Sequence, residues 1–256
     1  MTEFSHADCY MRSTRNCSED VAAGYYFSEG LRDLLRTKVI DATFPWDESC
    51  GESAVHLEDI PSSLLCGRHN EALASLDAAA LRAFHNMLDA VAYVTVKSLA
   101  TKTTLCALSG ESLELWLLKL LFGVCHFGRH AGGSEGSINL QRPDFSLFQN
   151  ALEKGALAVP GGIYVRKAQT DGGGRNAADQ IKRINGFNFT IGPLECELLV
   201  DTSGIDLDQL RRQSFYRPSG IDLIGKKRNA QIHLSGSGFA TNETARIGLS
   251  ELRPGQ

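Results

Sequence analysis

Cys9 and Cys17 near the start of the chain, together with Cys66-x-x-His69, supply four soft or borderline ligand atoms. Four is the number of protein ligands in a closed tetrahedral zinc site built from thiolate sulfur and imidazole nitrogen. The two intervening residues let Cys66 and His69 converge on one ion at the start of a helix. Seven residues separate Cys9 from Cys17, a wider gap than the usual two to four. The chemistry of such a site is folding chemistry: structural zinc contributes roughly 10–16 kcal/mol in small peptides at neutral pH. Residues 1–20 are polar and rich in Cys, Arg and Ser, so they bury little and need an anchor of this kind. The same residues have a plainer reading, with Cys66 as a small buried hydrophobe and His69 as a surface or capping residue. Cys50, Cys106, Cys125 and Cys196 have no comparable partners in the sequence. Cys106 and Cys125 read as core thiols.

The elements that would position these side chains follow from hydrophobic periodicity. Residues 27–38 fit a short helix, with Ser28 at its start and Leu31, Leu34 and Leu35 as its apolar stripe. Residues 39–63, with Pro45, Trp46, Gly51 and Pro61, read as loop with one short strand. Leu76, Ala80, Phe84, Leu88 and Val91 recur every three or four residues and predict a long helix, with Ser75 and Asp77 at its N-terminus. A second helix is expected over about 111–127, where Leu113, Trp116, Leu117, Leu120, Leu121 and Val124 form a broad apolar face. On it Trp116 belongs in the core, and Lys119 is expected to reach solvent along its own stem.

The pattern changes after HAGGSEGSINLQRPD, which begins at His130. GGIYVRK, GFNFTIG, ECELLVD and AQIHLSG are short runs bounded by Gly, Pro and Asn and read as strands. DGGGRN, residues 171–176, reads as a turn or hairpin tip without phosphate-loop spacing. The expected fold class is α+β: a helical N-terminal half over 1–130, a linker over 131–143, and a mostly antiparallel β-rich half over 144–256.

Composition limits the function classes. The net charge of −4 gives no global attraction to nucleic acid, so DNA or RNA would have to be held by local basic patches. Lys226-Lys227-Arg228, Arg211-Arg212 and Phe215-Tyr216-Arg217 are the candidates, each with a solvated turn as its plainer reading. No apolar run approaches the roughly 18 residues of a membrane span, since Glu114 and Lys119 interrupt the longest. The N-terminus lacks a secretory apolar core. An odd number of scattered cysteines suits a reducing compartment, so a cytoplasmic location without membrane contact is expected.

The run DCYMRSTRNCSED…YYFSEGLRDLL…FPW…SSLLCGRHNEALASLD, with the later GESLELWLLKLLFGV and FYRPSGIDL, resembles a set of uncharacterised bacterial proteins. Their N-terminal part is similar to the HNH-endonuclease, or treble-clef, zinc fold. The resemblance implies that Cys9, Cys17, Cys66 and His69 hold a structural zinc that staples the fold. It also implies that Asn70 lies near the last ligand of a second, catalytic ion such as magnesium or manganese. The general-base histidine of active HNH enzymes aligns here with Tyr25, after Gly24. Tyrosine, with a reference pKa near 10, is a poor base at neutral pH. His6 or His56 would substitute only if the fold brought one close. Two functions are therefore expected as alternatives. One is an HNH-like nucleic-acid-interacting protein, either a divergent or a lapsed metal-dependent endonuclease. The other is a non-catalytic, zinc-stabilised module that binds a protein partner.

Overall fold

A computed structural model describes residues 4–37, 40–43, 57–95, 103–131, 145–167, 186–240 and 242–249. Its elements in chain order are helix α1 (Glu29–Arg36), strand β1 (Ile40–Thr43), α2 (Gly67–Thr95), β2 (Thr103–Ser109), α3 (Gly110–Ala131), α4 (Phe145–Lys154), β3 (Gly162–Arg166), β4 (Gly186–Ile191), β5 (Leu194–Leu199), α5 (Leu207–Gln213), β6 (Ser214–Tyr216), β7 (Gly220–Ile224), β8 (Asn229–Ser235) and β9 (Thr244–Gly248). The protein is a mixed α+β fold. The expected linker, the DGGGRN turn, Cys50 and His56 lie wholly or mostly outside the described residues.

Residues 113–125 of α3 are buried without a break, as expected of a helix apolar on every side. It packs against α2, α4, β5 and β8 and forms the centre of the molecule. Its two interior charges are also buried, so Lys119 does not snorkel to solvent: its Nζ lies 2.7 Å from Asp77 Oδ1. At full burial, pairing is the less costly alternative to an isolated ammonium.

Helix α2 buries one stripe, from His69 and Leu73 through Asp77, Ala80, Phe84 and Met87 to Val94. It begins at Gly67, well before the periodic apolar run starts at Leu76. The cause is tertiary: Cys66 bridges to Val21, and Gly67 N–H donates to Asp20 O at 3.0 Å. Ser75 and Asp77 are therefore interior to the helix. Asp77 is a buried ion-pair partner and not an N-terminal charge. In α1, Leu31 and Leu35 face the core, and Ser28 stands at the N-cap without a side-chain capping bond.

The strands form two sheets. The first, in order β1-β4-β5-β3-β6, is antiparallel throughout. Gly192, at φ +54°, opens the two-residue turn between β4 and β5, a position that favours glycine. The second sheet, in order β2-β8-β7-β9, is antiparallel at β7–β8 and parallel at β2–β8 and β7–β9. Strands β1 and β2 precede residues 131–143, and their partners follow them. One continuous hydrophobic cluster also runs through residues on both sides of that segment. The later half carries two helices that periodicity did not disclose, α4 and α5. The second is started by Asp206, whose carboxylate accepts from the N–H groups of Asp208 and Gln209, each at 3.0 Å.

Candidate metal centre

Among its described residues the N-terminal arm has no regular element beyond one tight turn over Arg12–Thr14, yet its backbone is stitched to the segment before α2. Tyr10 N–H donates to Leu64 O, Ala22 N–H to Leu65 O, and Tyr26 N–H to Ile60 O, at 3.0, 3.0 and 2.8 Å. Cys17 N–H closes the arm on itself through Phe4 O at 3.0 Å. Residues 20–26 thereby lie along residues 60–67, and both cysteines of the arm face the first turn of α2.

There the four expected ligands meet. The Nδ1 atom of His69 lies 3.2 Å from Cys66 Sγ, 3.4 Å from Cys9 Sγ and 3.8 Å from Cys17 Sγ. All four candidate ligand atoms fall within 4.8 Å of one another. The residues are 1% (Cys9), 5% (Cys17), 0% (Cys66) and 6% (His69) exposed. One imidazole nitrogen has one lone pair and accepts one ordinary hydrogen bond, so hydrogen bonding alone does not account for three sulfurs around it. A shared cation would. With zinc–sulfur bonds near 2.3 Å and zinc–nitrogen bonds near 2.0 Å, the sulfur–nitrogen edge of a tetrahedron is about 3.5 Å. The three distances bracket that value.

The electrostatics of the pocket hold Cys66 and His69 toward their metal-binding forms and Cys9 away from its own. Burial pushes the Cys9 thiol up to about 12. Cys66 lies below its ordinary value: burial pushes it up, but N–H groups of His69 and Ser18 directed at its sulfur outweigh that. Ser18 N–H reaches Cys66 Sγ at 3.4 Å. Burial, and then the nearby Arg68, hold the His69 imidazole below its usual value and so favour its neutral form. Neutral imidazole and deprotonated thiol are the forms that bind a metal.

The remaining candidates are dispersed. Asn70 is the residue after His69, half-buried on the first turn of α2, with its N–H donating to Cys66 O at 2.9 Å. Tyr25 is 53% exposed, and the Arg32 guanidinium carbon stands 3.3 Å from its ring centroid. His6 is half-buried, and its Nδ1 accepts from Asp8 N–H at 3.2 Å. Among the proposed basic patches, Arg217 is not a surface cation: it is buried and paired with Glu114. Lys226 and Lys227 are exposed in the β7–β8 turn, and Arg228 lies over the Tyr93 ring at 4.6 Å. Arg211 and Arg212 are exposed on α5. Cys125 and Cys196 are buried, whereas Cys106 is half-exposed at the edge of its sheet. Sequence reasoning missed Thr14 and Ser18, which touch the cluster through polar atoms. Only their nearness to Cys17 in the chain hints at it. Among the described residues, no helix is long and apolar enough to cross a membrane. Comparison with family models, with curated proteins and with solved structures returns no match to this chain.

Proposed function

We propose that Cys9, Cys17, Cys66 and His69 bind one structural zinc ion that staples the N-terminal arm to the start of α2. The observation that carries this is the convergence of three buried sulfurs on a single imidazole nitrogen at 3.2, 3.4 and 3.8 Å. Four protein ligands complete a tetrahedron, so the ion has no open position for water or substrate, which is the mark of a structural rather than a catalytic zinc. Its role is to order the segment least able to fold by burial. These four residues are the ligands that the HNH-like resemblance implies, and a protein-binding module built on such a scaffold is the reading we favour. Burial of Arg217 removes one cation from the nucleic-acid surface expected of the β-rich half, which favours the module.

The test is elemental analysis of the purified protein. One zinc per chain is expected, falling to well below one in Cys66→Ser. Absence of bound metal, with no uptake of added zinc, would defeat the proposal. A nuclease reading is separable: plasmid nicking with magnesium or manganese that disappears in Asn70→Ala would restore it. No cleavage by zinc-replete protein supports the module.

A further inference from the structure

We infer that Thr14 is a positioning residue of the metal centre, its hydroxyl holding the His69 imidazole in the tautomer that turns the Nδ1 lone pair toward the three sulfurs. The inference rests on the zinc reading above and deepens it. Thr14 Oγ1 donates its one proton to Met11 O at 2.9 Å. The same oxygen lies 3.1 Å from His69 Nε2. A hydroxyl whose proton is already committed can only accept a second bond. The Nε2 atom must then carry the proton, which leaves Nδ1 bare and facing Cys9, Cys17 and Cys66. The Met11 carbonyl is held in turn by the tight turn of the arm, where Thr14 N–H also donates to it at 3.0 Å. The arm therefore contributes more than two sulfurs: its turn selects which imidazole nitrogen becomes a ligand and fixes the ring plane. Outer groups of this kind typically change metal affinity by about 10–100-fold when removed.

Thr14 also supports its own turn, so the test must separate that role from its action on the imidazole. Cobalt(II) affinity is measured by chelator competition for the full chain, Thr14→Val and Thr14→Ser, each with His69 intact and with His69→Cys. With His69 intact, Thr14→Val is expected to weaken binding about 10–100-fold, and Thr14→Ser to restore it. In the His69→Cys background the fourth ligand has no second N–H to position. There Thr14→Val should change affinity no more than about threefold, because a residue that acts through the imidazole is coupled to it and its effect is lost with the ring. An equal loss in both backgrounds assigns Thr14 to turn support and overturns the inference, as does an unchanged affinity in Thr14→Val. In parallel, nitrogen-15 spectra of the zinc-loaded protein should show an exchange-protected His69 Nε2 proton, lost in Thr14→Val and kept in Thr14→Ser; its absence from the unmodified chain also overturns the inference. If the unmodified chain binds neither zinc nor cobalt, the zinc reading fails first and Thr14 falls with it. Tight metal binding with no dependence on Thr14 sinks only the present inference.

Discussion

At the scale of single residues, two kinds of polar side chain behave oppositely toward sequence reasoning. Cys9, Cys17, Cys66 and His69 announce a candidate metal site because their residue types carry the chemistry. Asp77 and Lys119 announce nothing, since a helix aspartate and a helix lysine are ordinary on any surface. Their meaning depends on a contact between residues 42 positions apart. Asp77 Oδ1 accepts from Lys119 Nζ at 2.7 Å and from Trp116 Nε1 at 3.1 Å, and its Oδ2 accepts from Ser28 N–H at 3.3 Å. Burial pulls the Lys119 ammonium below its usual range, with Asp77 opposing the shift. Breaking one side of a buried pair strands the other charge and costs about 3–5 kcal/mol. Lys119→Met is expected to lose that much stability in urea unfolding. Adding Asp77→Asn, which removes the stranded charge and keeps an oxygen for Trp116, should recover a substantial part. If Lys119→Met lost under about 1 kcal/mol, the pair would be behaving like a solvated surface pair.

At the scale of elements, the cores of α1, α2 and α3 were legible because apolar residues recur at helical spacing over several turns. β3, β4, β5 and β8 were legible as short runs bounded by Gly, Pro and Asn. β2, with the composition TTLCALS, has Cys106 and Ala107 where β-branched residues would advertise a strand, and it declares itself only by pairing with β8. Close packing between elements is equally hidden. At Gly123 of α3, a Cβ would stand 2.5 Å from Tyr26 Cε1. Tyr26 has no room to retreat. Its hydroxyl donates to Lys119 O at 3.0 Å and lies 2.6 Å from the Tyr10 hydroxyl, while its ring meets Phe27 edge-on. Because Tyr10 follows Cys9, this ring pair joins the N-terminal arm to the central helix. Gly123→Ala would ordinarily stabilise a helix by about 1 kcal/mol. Here overpacking, at about 1–3 kcal/mol, should prevail. Urea unfolding should show a net loss with zinc content unchanged; a net gain would mean that Tyr26 is free to move.

At the scale of the molecule, the issue is whether the halves on either side of residues 131–143 fold as one. Strand β1 completes the first sheet and β2 the second, each as an edge whose neighbour comes from the later half. A buried ion pair also fastens the same two halves in the interior. Arg217, 103 residues beyond Glu114, gives its carboxylate two bonds of 2.8 Å and donates a third, also 2.8 Å, to Leu157 O. The site is built closely around the pair. Arg217 itself takes φ +40°, a conformation uncommon for a residue with a side chain. Gly162, at φ +146°, has no space for a Cβ, which would stand 2.5 Å from Arg217 Nε and 2.7 Å from Glu114 Oε1. Removing the guanidinium leaves Glu114 without its countercharge inside the central helix, so Arg217→Met is expected to cost about 3–5 kcal/mol. Because α3 belongs to the core shared by both sheets, the loss should lower the midpoint of one cooperative transition. Far-ultraviolet circular dichroism for the helices and amide exchange in β7 and β8 for the second sheet should report the same midpoint. Zinc content should stay at that of the unmodified chain, because the pair touches neither the arm nor the first turn of α2. Glu114→Gln added to Arg217→Met should recover part of the loss. Separate transitions for helices and sheet, with only the sheet shifted, would show instead that the halves fold independently, and the interior ion pair would then be a contact between domains.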